Sequence, residues 1–172
     1  MSFAQPATAR VIAAAHAGGV EIEVVSLDQS TRTAQEAAAA VGAEVGQIVK
    51  SLVFVADDGD GSTVRPYLAL VSGSNMADVD ALAATVGERS IRRSTADEAR
   101  AATSFAIGGI PPFGHSSPLR VLMDPALLTY DVIWAAAGTG NSVFAIKPAD
   151  LQRLSAATVA PIARPAAEVT PR

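Results

Sequence analysis

The sequence of 172 residues contains no cysteine and no apolar run long enough to form a membrane-spanning helix. Without cysteine, disulfide bonds, thiolate nucleophiles and zinc-thiolate sites are all excluded. The most apolar stretches, Gln47 to Ala56 and Val132 to Gly138, have the length of strands, whereas a membrane span needs about 20 residues. We therefore expect no membrane-spanning segment.

The N-terminal residues 1–10 lack the basic region, apolar core and cleavage site of an export signal, which favours a cytoplasmic protein. A hydrophobic content of 49% with 17% charged residues is typical of an ordered domain. The net charge of −4 argues against a protein that coats DNA or RNA, although it leaves room for a local basic site. The length suits one domain, which we assign to residues 1–160, followed by a flexible tail over 161–172.

Helical and strand signals alternate irregularly along the chain, with hairpin-like pairs among them. The predicted helices are Pro6 to His16, Thr33 to Gly42, Asp78 to Val86, Ser94 to Thr103 and Pro148 to Leu154. The predicted strands are Glu21 to Leu27, Ile48 to Ala56, Tyr67 to Val71, Ser90 to Arg92, Leu119 to Met123, Val132 to Ala137 and Ser142 to Ile146. This pattern predicts an α+β fold with a mixed sheet.

Lysine occurs only twice, and Lys50 lies inside an apolar predicted strand. An ammonium in such a strand costs several kcal/mol unless it reaches water, finds a partner or faces a cleft. Lys50 is therefore either a ligand for an anion or substrate in a pocket, or a strand lysine whose charge reaches solvent.

Residues 108–118 contain three glycines and three prolines and cannot lie inside a regular element. The Gly108-Gly109 pair suits a rigid loop whose backbone amides approach a ligand, but it equally suits a tight connection between two elements. A second glycine cluster, Gly138-Thr139-Gly140, leads into a strand and lacks a third glycine, so it does not indicate a dinucleotide site.

The remaining polar residues give weaker signals. The two histidines are too few for the usual metal sites, and no metal is expected. His115 either touches a substrate or hydrogen-bonds within its own loop. No G-x-S-x-G elbow is present, so a serine hydrolase triad has no anchor. A basic patch is either a phosphate contact or a solvated face, and its members are Arg89, Arg92, Arg93 and Arg100.

Three segments together resemble a known family. They are TAQEAAAAVG followed by IVKSLVFV (48–55), TSFAIGGIPPFGH (103–115) and AAAGTGNSVFAIKPADL (135–151). In order and spacing they resemble the signatures of the YbaK/ProX family of aminoacyl-tRNA editing domains, from about Val20 to Leu154. This family is similar to the editing insertion domain of bacterial prolyl-tRNA synthetase.

The resemblance implies a barrel-like, largely antiparallel sheet flanked by helices. It also implies an enzyme, without a cofactor, that hydrolyses the ester between tRNA and a wrong, small amino acid. Its partners would be the acceptor end of mischarged tRNA and, as an optional second partner, an aminoacyl-tRNA synthetase. The catalytic residues carried over are Lys50, Gly108 and Gly109. The substrate-binding residues carried over are Ile110, Phe113, Gly114, His115, Gly138 and Gly140.

Chemistry agrees with this implication, because an aminoacyl ester is already activated and needs only a polarised carbonyl and a placed water. Val53 and Phe144 either support the amino-acid pocket or are ordinary core residues. Two alternatives remain. One is a non-catalytic module that binds an aminoacyl or nucleotide ligand in the same cleft, and the other is an unrelated esterase, which the lack of a nucleophile system disfavours.

Overall fold

The computed structural model describes residues 5–166, which contain five α-helices, ten strands and two short 3₁₀ helices. The helices are α1 (Pro6–Ala17), α2 (Ala34–Val41), α3 (Val79–Val86), α4 (Ala96–Thr103) and α5 (Pro148–Ser155). The strands are β1 (Val24–Ser26), β2 (Val49–Asp57), β3 (Val64–Ser72), β4 (Asn75–Ala77), β5 (Arg92–Arg93), β6 (Arg120–Met123), β7 (Ile133–Ala136), β8 (Ser142–Ile146), β9 (Thr158–Val159) and β10 (Ala163–Pro165). The 3₁₀ helices are Val45–Gln47 and Pro125–Thr129. Within this range, every helix falls short of the length and apolarity that crossing a membrane requires.

The strands of the described range form three sheets. The largest has the order β5-β2-β3-β6-β9, the second β1-β8-β7, and the third consists of β10 and β4. Only the β3–β6 and β6–β9 pairs are parallel, which confirms a mixed, largely antiparallel α+β fold. The barrel-like arrangement is open rather than closed, because the two larger sheets meet in a single parallel bridge between Ile48 and Trp134.

The helix signals in the sequence correspond closely to the observed helices. Thr33 precedes α2, and its hydroxyl accepts a hydrogen bond from the Glu36 amide at 3.1 Å, as a helix N-cap does. The Glu36 carboxylate accepts from the Arg32 amide at 2.8 Å instead of from Thr33, so the capping box begins one residue early. The predicted strand from Glu21 is shorter than expected and contains only Val24–Ser26.

Strand β2 contributes to both hydrophobic cores because its side chains alternate between the two faces of the sheet. Val49 and Val53 join the larger core, which also includes side chains of α1, β7, β8 and α5. Phe54 and Ala56 join the second core, beneath α3. A strand buried on both faces reads as a nearly continuous apolar run, which is why Ile48 to Ala56 was predictable.

The C-terminal segment differs from the prediction. The prediction of a loose tail from Pro161 onward is wrong for residues 161–166. Residues 167–172 lie outside the described range. Strand β10 pairs with β4 in antiparallel register, and the Ile162 side chain is fully buried in the second core. Ile162 is a single apolar side chain among small and polar neighbours, so the sequence shows no hydrophobic periodicity there. Its burial nevertheless holds the segment in place.

We expect Ile162→Ala to lower the free energy of unfolding by about 2–5 kcal/mol, because it leaves a cavity in the second core. Ile107→Ala is the matched control, since the Ile107 side chain is 50% exposed, and it should change stability by no more than about 0.5 kcal/mol. Urea unfolding followed by circular dichroism measures both. Equal stabilities for the two variants would contradict a folded C-terminal segment.

Candidate functional site

A cavity of about 280 Å³ lies between the two larger sheets, close to the bridge that joins β2 to β7. Apolar side chains from several elements form most of its wall, including Ile48, Val53, Ile110, Trp134 and Val143. Lys50, Arg32 and Arg93 also line it. No aspartate or glutamate is among the described residues that line the cavity. An apolar space bordered by cations alone suits a ligand with a small apolar part and a negative charge nearby.

The edge of β2 that faces the cavity is unpaired over part of its length. Strand β5 pairs with β2 only at Phe54 and Val55, and the bridge to β7 lies at Ile48, so no described strand pairs with residues 50–52 on this edge. The Val53 carbonyl accepts from the Ser94 amide at 3.0 Å on this side. Because backbone groups two residues apart point the same way, Ser51 presents its N–H and C=O to the cavity.

Ser51 carries a further free polar group. Its hydroxyl oxygen is buried and has no hydrogen-bond partner among the described residues. Buried hydroxyls are usually paired, and an unpaired one costs about 1–3 kcal/mol. Ser51 therefore adds side-chain and backbone hydrogen-bonding capacity to an otherwise apolar part of the wall.

Lys50 lies half-buried on β2, and its ammonium donates a hydrogen bond to the backbone carbonyl of Asn75. Burial lowers the pKa of Lys50 from its usual value of 10.5, the negative charge of Asp124 raises it, and the positive charge of Arg93 lowers it further. The ammonium therefore neither escapes fully to water nor forms an ion pair with a described carboxylate. Lys50 lines the cavity, and its ammonium is bound to a backbone carbonyl instead of extending freely into solvent.

The predicted basic patch divides into two kinds of arginine. The Arg92 guanidinium is held by Asp57 at 3.2 Å and by Glu98 at 2.8 Å. The neighbouring Arg93 forms no ion pair within the described residues, and its guanidinium carbon lies 5.5 Å from the centroid of the Phe54 ring. Neighbouring strand residues point to opposite sides, so only Arg93 of this pair lines the cavity.

Gly108 and Gly109, predicted to act together, have different environments. The Ala106 carbonyl accepts from the Gly109 amide at 3.0 Å, and Gly108 has φ +97°, as the third residue of a type II turn requires. Gly108 lines the cavity, and its own amide donates to no described atom. Gly109 does not line the cavity, and its amide is already used within the turn. Only one of the two predicted amide donors is therefore available.

Gly109 instead allows two loops to cross. A Cβ atom at this position would lie 2.7 Å from the Cα atom of Thr139 and 2.8 Å from the carbonyl carbon of Gly138. The glycine-rich segments of the second and third sequence motifs thus meet backbone to backbone. Gly138 makes a second close approach, since a Cβ there would lie 2.9 Å from the Ala7 backbone of α1.

The other predicted substrate-binding residues lie away from the cavity, with the exception of Ile110. Phe113 packs edge-on against Phe144 in the larger core, with ring centroids 5.6 Å apart. The His115 ring nitrogen Nε2 lies 2.8 Å from the Pro111 carbonyl, and burial lowers the pKa of this histidine. These contacts are those of a packed loop.

The two remaining glycines also contact protein and not the cavity. Gly114 has φ +85° and lies against α1, where a Cβ would approach the Ala14 side chain to 3.3 Å. Gly140 accepts a hydrogen bond from the Thr31 amide at 3.1 Å and so ties the β7–β8 turn to the segment before α2. Both glycines therefore contact other parts of the protein and do not line the cavity.

Sequence reasoning missed several residues of the cavity. Thr31, Arg32, Ser51, Ser94 and Trp134 all line it. For Ser51 a local signal was available, since a serine beside a lysine is unusual within an apolar strand. The described residues contain no group of three or more histidine or acidic side chains that could hold a metal ion.

We expect Gly109→Ala to lower the free energy of unfolding by about 1–3 kcal/mol, because the new methyl group overlaps the Thr139 backbone. Gly140→Ala is the control, since its new methyl group would meet the Ser30 hydroxyl oxygen at an ordinary 3.5 Å and its φ is not positive. Thermal unfolding measures both variants. If Gly109→Ala were as stable as Gly140→Ala, the backbone crossing would not be the reason for this glycine.

Several known proteins are similar to this chain. The model of the family described as "Aminoacyl-tRNA editing domain" matches residues 28–154. A crystal structure described as a "putative trans-editing enzyme for prolyl tRNA synthetase" is 46% identical, covers 94% of this chain and 99% of its own, and superposes with a TM-score of 0.84. The Bacillus subtilis protein YwhH, which is uncharacterized, is 29% identical over 78% of this chain and 82% of its own length. The "Multifunctional Ser/Thr-tRNA deacylase ProXp-y" of Escherichia coli is 29% identical over 66% of this chain and 68% of its own length. The match to the family covers most of the chain, which therefore belongs to the aminoacyl-tRNA editing domain family.

Proposed function

We propose that the chain hydrolyses the ester bond between a small amino acid and the 3′-terminal adenosine of a mischarged tRNA. The observation that carries this proposal is the combination of an apolar cavity with three cations and no carboxylate in its described wall. An aminoacyl-tRNA end has complementary chemistry, with a small side chain next to a ribose and phosphate groups. The family to which the chain belongs and the deacylase among its relatives support the same reaction.

The size of the cavity suits a small aminoacyl group. At about 280 Å³ it lies just below the range of about 300–1,000 Å³ common for small-molecule pockets. An apolar pocket distinguishes side chains that differ by one methylene by only about 1–3 kcal/mol. A synthetase therefore makes errors among small amino acids, and a separate hydrolytic site removes them.

We assign separate roles to Gly108, Lys50 and Gly109. The Gly108 amide donates to the carbonyl oxygen of the ester and stabilises the negative charge that develops there. The Lys50 ammonium binds the terminal phosphate or the 3′-ribose end. Gly109 supports the turn and does not contact the substrate.

The reaction then needs only water. A water oxygen forms a bond to the carbonyl carbon, the bond from this carbon to the ribose oxygen breaks, and a proton passes to that ribose oxygen. The substrate itself carries part of this proton transfer. The released products are the free amino acid and the uncharged tRNA.

The contact with tRNA is limited to the acceptor end, because the net charge of −4 opposes an extensive interface with nucleic acid. An aminoacyl-tRNA synthetase is a natural second partner, since it brings the mischarged end close to the site. The substrate places the activity in the cytoplasm.

We expect Lys50→Ala to slow deacylation on the order of 10²-fold or more, because the substrate end loses its cation. Lys147→Ala is the matched control, since Lys147 is the other lysine, is exposed and does not line the cavity. The measurement is the rate of ester loss from tRNAs charged with alanine, serine, threonine, cysteine or proline. Lysine-dependent hydrolysis that follows side-chain size supports the proposal.

The same assay addresses the non-catalytic alternative. If the parent protein binds a charged tRNA but leaves its ester as stable as in buffer, the chain is a binding module and not a hydrolase. If Lys50→Ala and Lys147→Ala deacylate equally fast, hydrolysis stands and the role of Lys50 is wrong.

Arg93 should contribute to binding more than to catalysis. We expect Arg93→Gln to raise KM while kcat stays near that of the parent, and to reduce the salt dependence of binding by about one phosphate contact. Arg92→Gln is the control, since two carboxylates already hold this guanidinium. Steady-state kinetics between low and physiological salt separate the two arginines, and equal KM values would remove Arg93 from the substrate contact.

A further inference from the structure

Asp124 is a buried carboxylate that the site described above does not use. It lies between β6 and the 3₁₀ helix Pro125–Thr129, and only 2% of its surface is exposed. Oδ1 accepts from the Ala126 amide at 2.9 Å and caps this short helix. Among the described residues no cationic side chain forms an ion pair with it.

The second oxygen of Asp124 serves a different purpose. Oδ2 accepts from the Ser72 amide at 3.1 Å and from the Asn75 side-chain amide at 2.9 Å. The backbone carbonyl of Asn75 in turn accepts from the Lys50 ammonium. A continuous chain of hydrogen bonds therefore runs from the buried carboxylate through one asparagine to the cation at the cavity wall.

Capping alone does not explain a charged residue here. Asparagine, serine and threonine cap helices about as well as aspartate, and burying a carboxylate without a cation costs several kcal/mol more than burying a neutral group. The negative charge of Asp124 does act on one group of the site, because it raises the pKa of Lys50. Burial and Arg93 act in the opposite direction.

We propose that Asp124, acting through Asn75, is a positioning residue that holds the Lys50 ammonium in place and in its charged form at the cavity wall. The inference rests on the proposed function only in that Lys50 serves the substrate. The hydrogen bonds fix the direction of a long, flexible side chain, and the charge opposes the burial that favours the neutral amine.

The charged groups around Lys50 determine in which direction its pKa should move when Asp124 loses its charge. Asp124 precedes the 3₁₀ helix, Arg93 comes from β5, and Arg32, from the segment before α2, lines the same cavity. Of these three, only Asp124 favours the protonated lysine. Removing its charge should therefore lower the pKa of Lys50.

The test uses the fact that the chain has only two lysines. Protein labelled with ¹³C at the lysine ε-carbons gives two signals, which Lys147→Arg assigns. We expect the Lys50 titration midpoint to move to lower pH in Asp124→Asn, while the Lys147 signal serves as the internal reference. Asp78→Asn is the matched control, because Asp78 also caps a helix through its carboxylate, whereas only Asp124 accepts from the Asn75 side chain and acts on the pKa of Lys50.

Asn75→Ala tests the link separately and keeps the proposal testable if Asp124→Asn does not fold. This variant retains the carboxylate but removes the side chain that ties the Asn75 carbonyl in place, so the Lys50 ε-carbon should become as mobile as that of Lys147 in relaxation measurements. In the deacylation assay both variants should lower kcat/KM by about tenfold, because the cation that binds the substrate end is no longer held in place. Asp124→Asn alone should also move the alkaline limb of the pH profile to lower pH.

The outcomes distinguish this inference from the proposed function. An unchanged Lys50 midpoint in folded Asp124→Asn, or unchanged Lys50 mobility in Asn75→Ala, overturns the positioning role whatever the activity. Absence of hydrolysis by the parent, with both NMR effects present, overturns the proposed function and leaves the link between Asp124 and Lys50 standing.

Discussion

The pairing of β2 with β3 is the interaction on which the rest of the structure depends. Nine residues of each strand face each other in antiparallel register, so β2 is fixed along its whole length on one edge. Its two faces fill the two cores, and its other edge is left free beside the cavity. A strand held so firmly on three sides can present backbone and side-chain groups on the fourth with little loss of order.

Charge is distributed unevenly around this strand. The chain is acidic overall, yet the described wall of the cavity contains cations only. Arg65, by contrast, lies away from the cavity and contacts both Glu88 and Asp58. Hydrogen bonds from Arg65 and Tyr67 lower the pKa of Glu88 to about 2, so this network keeps its charge to low pH. The described wall of the cavity thus carries three cations that form no ion pair with a described carboxylate.

Much of the fold could be predicted because local signals and tertiary structure agree. Caps such as Thr33 and the apolar run of β2 each specify an element without reference to the rest of the chain. Lys50 is conspicuous for the opposite reason, since its charge conflicts with its apolar neighbours, and it lines the candidate cavity.

The remaining features depend on contacts between distant segments, which local patterns do not encode. Gly109 and Gly138 are glycines because two loops cross, and a loop rich in glycine and proline looks the same whether it meets a ligand or another loop. Phe113 and His115 share that loop with Gly108, but Phe113 packs in the larger core and His115 contacts the Pro111 carbonyl of its own loop. Asp124 was overlooked because an aspartate before a proline is an ordinary turn signal, and only its burial sets it apart.

Strand β10 brings residues 163–165 close to the candidate site. Pro165 is the register partner of Asn75, whose carbonyl accepts from Lys50, so residue 166 lies only one strand away from the cation at the cavity. A shift of β10 relative to β4 would therefore displace the carbonyl that holds the Lys50 ammonium, although the two strands are far apart in the sequence.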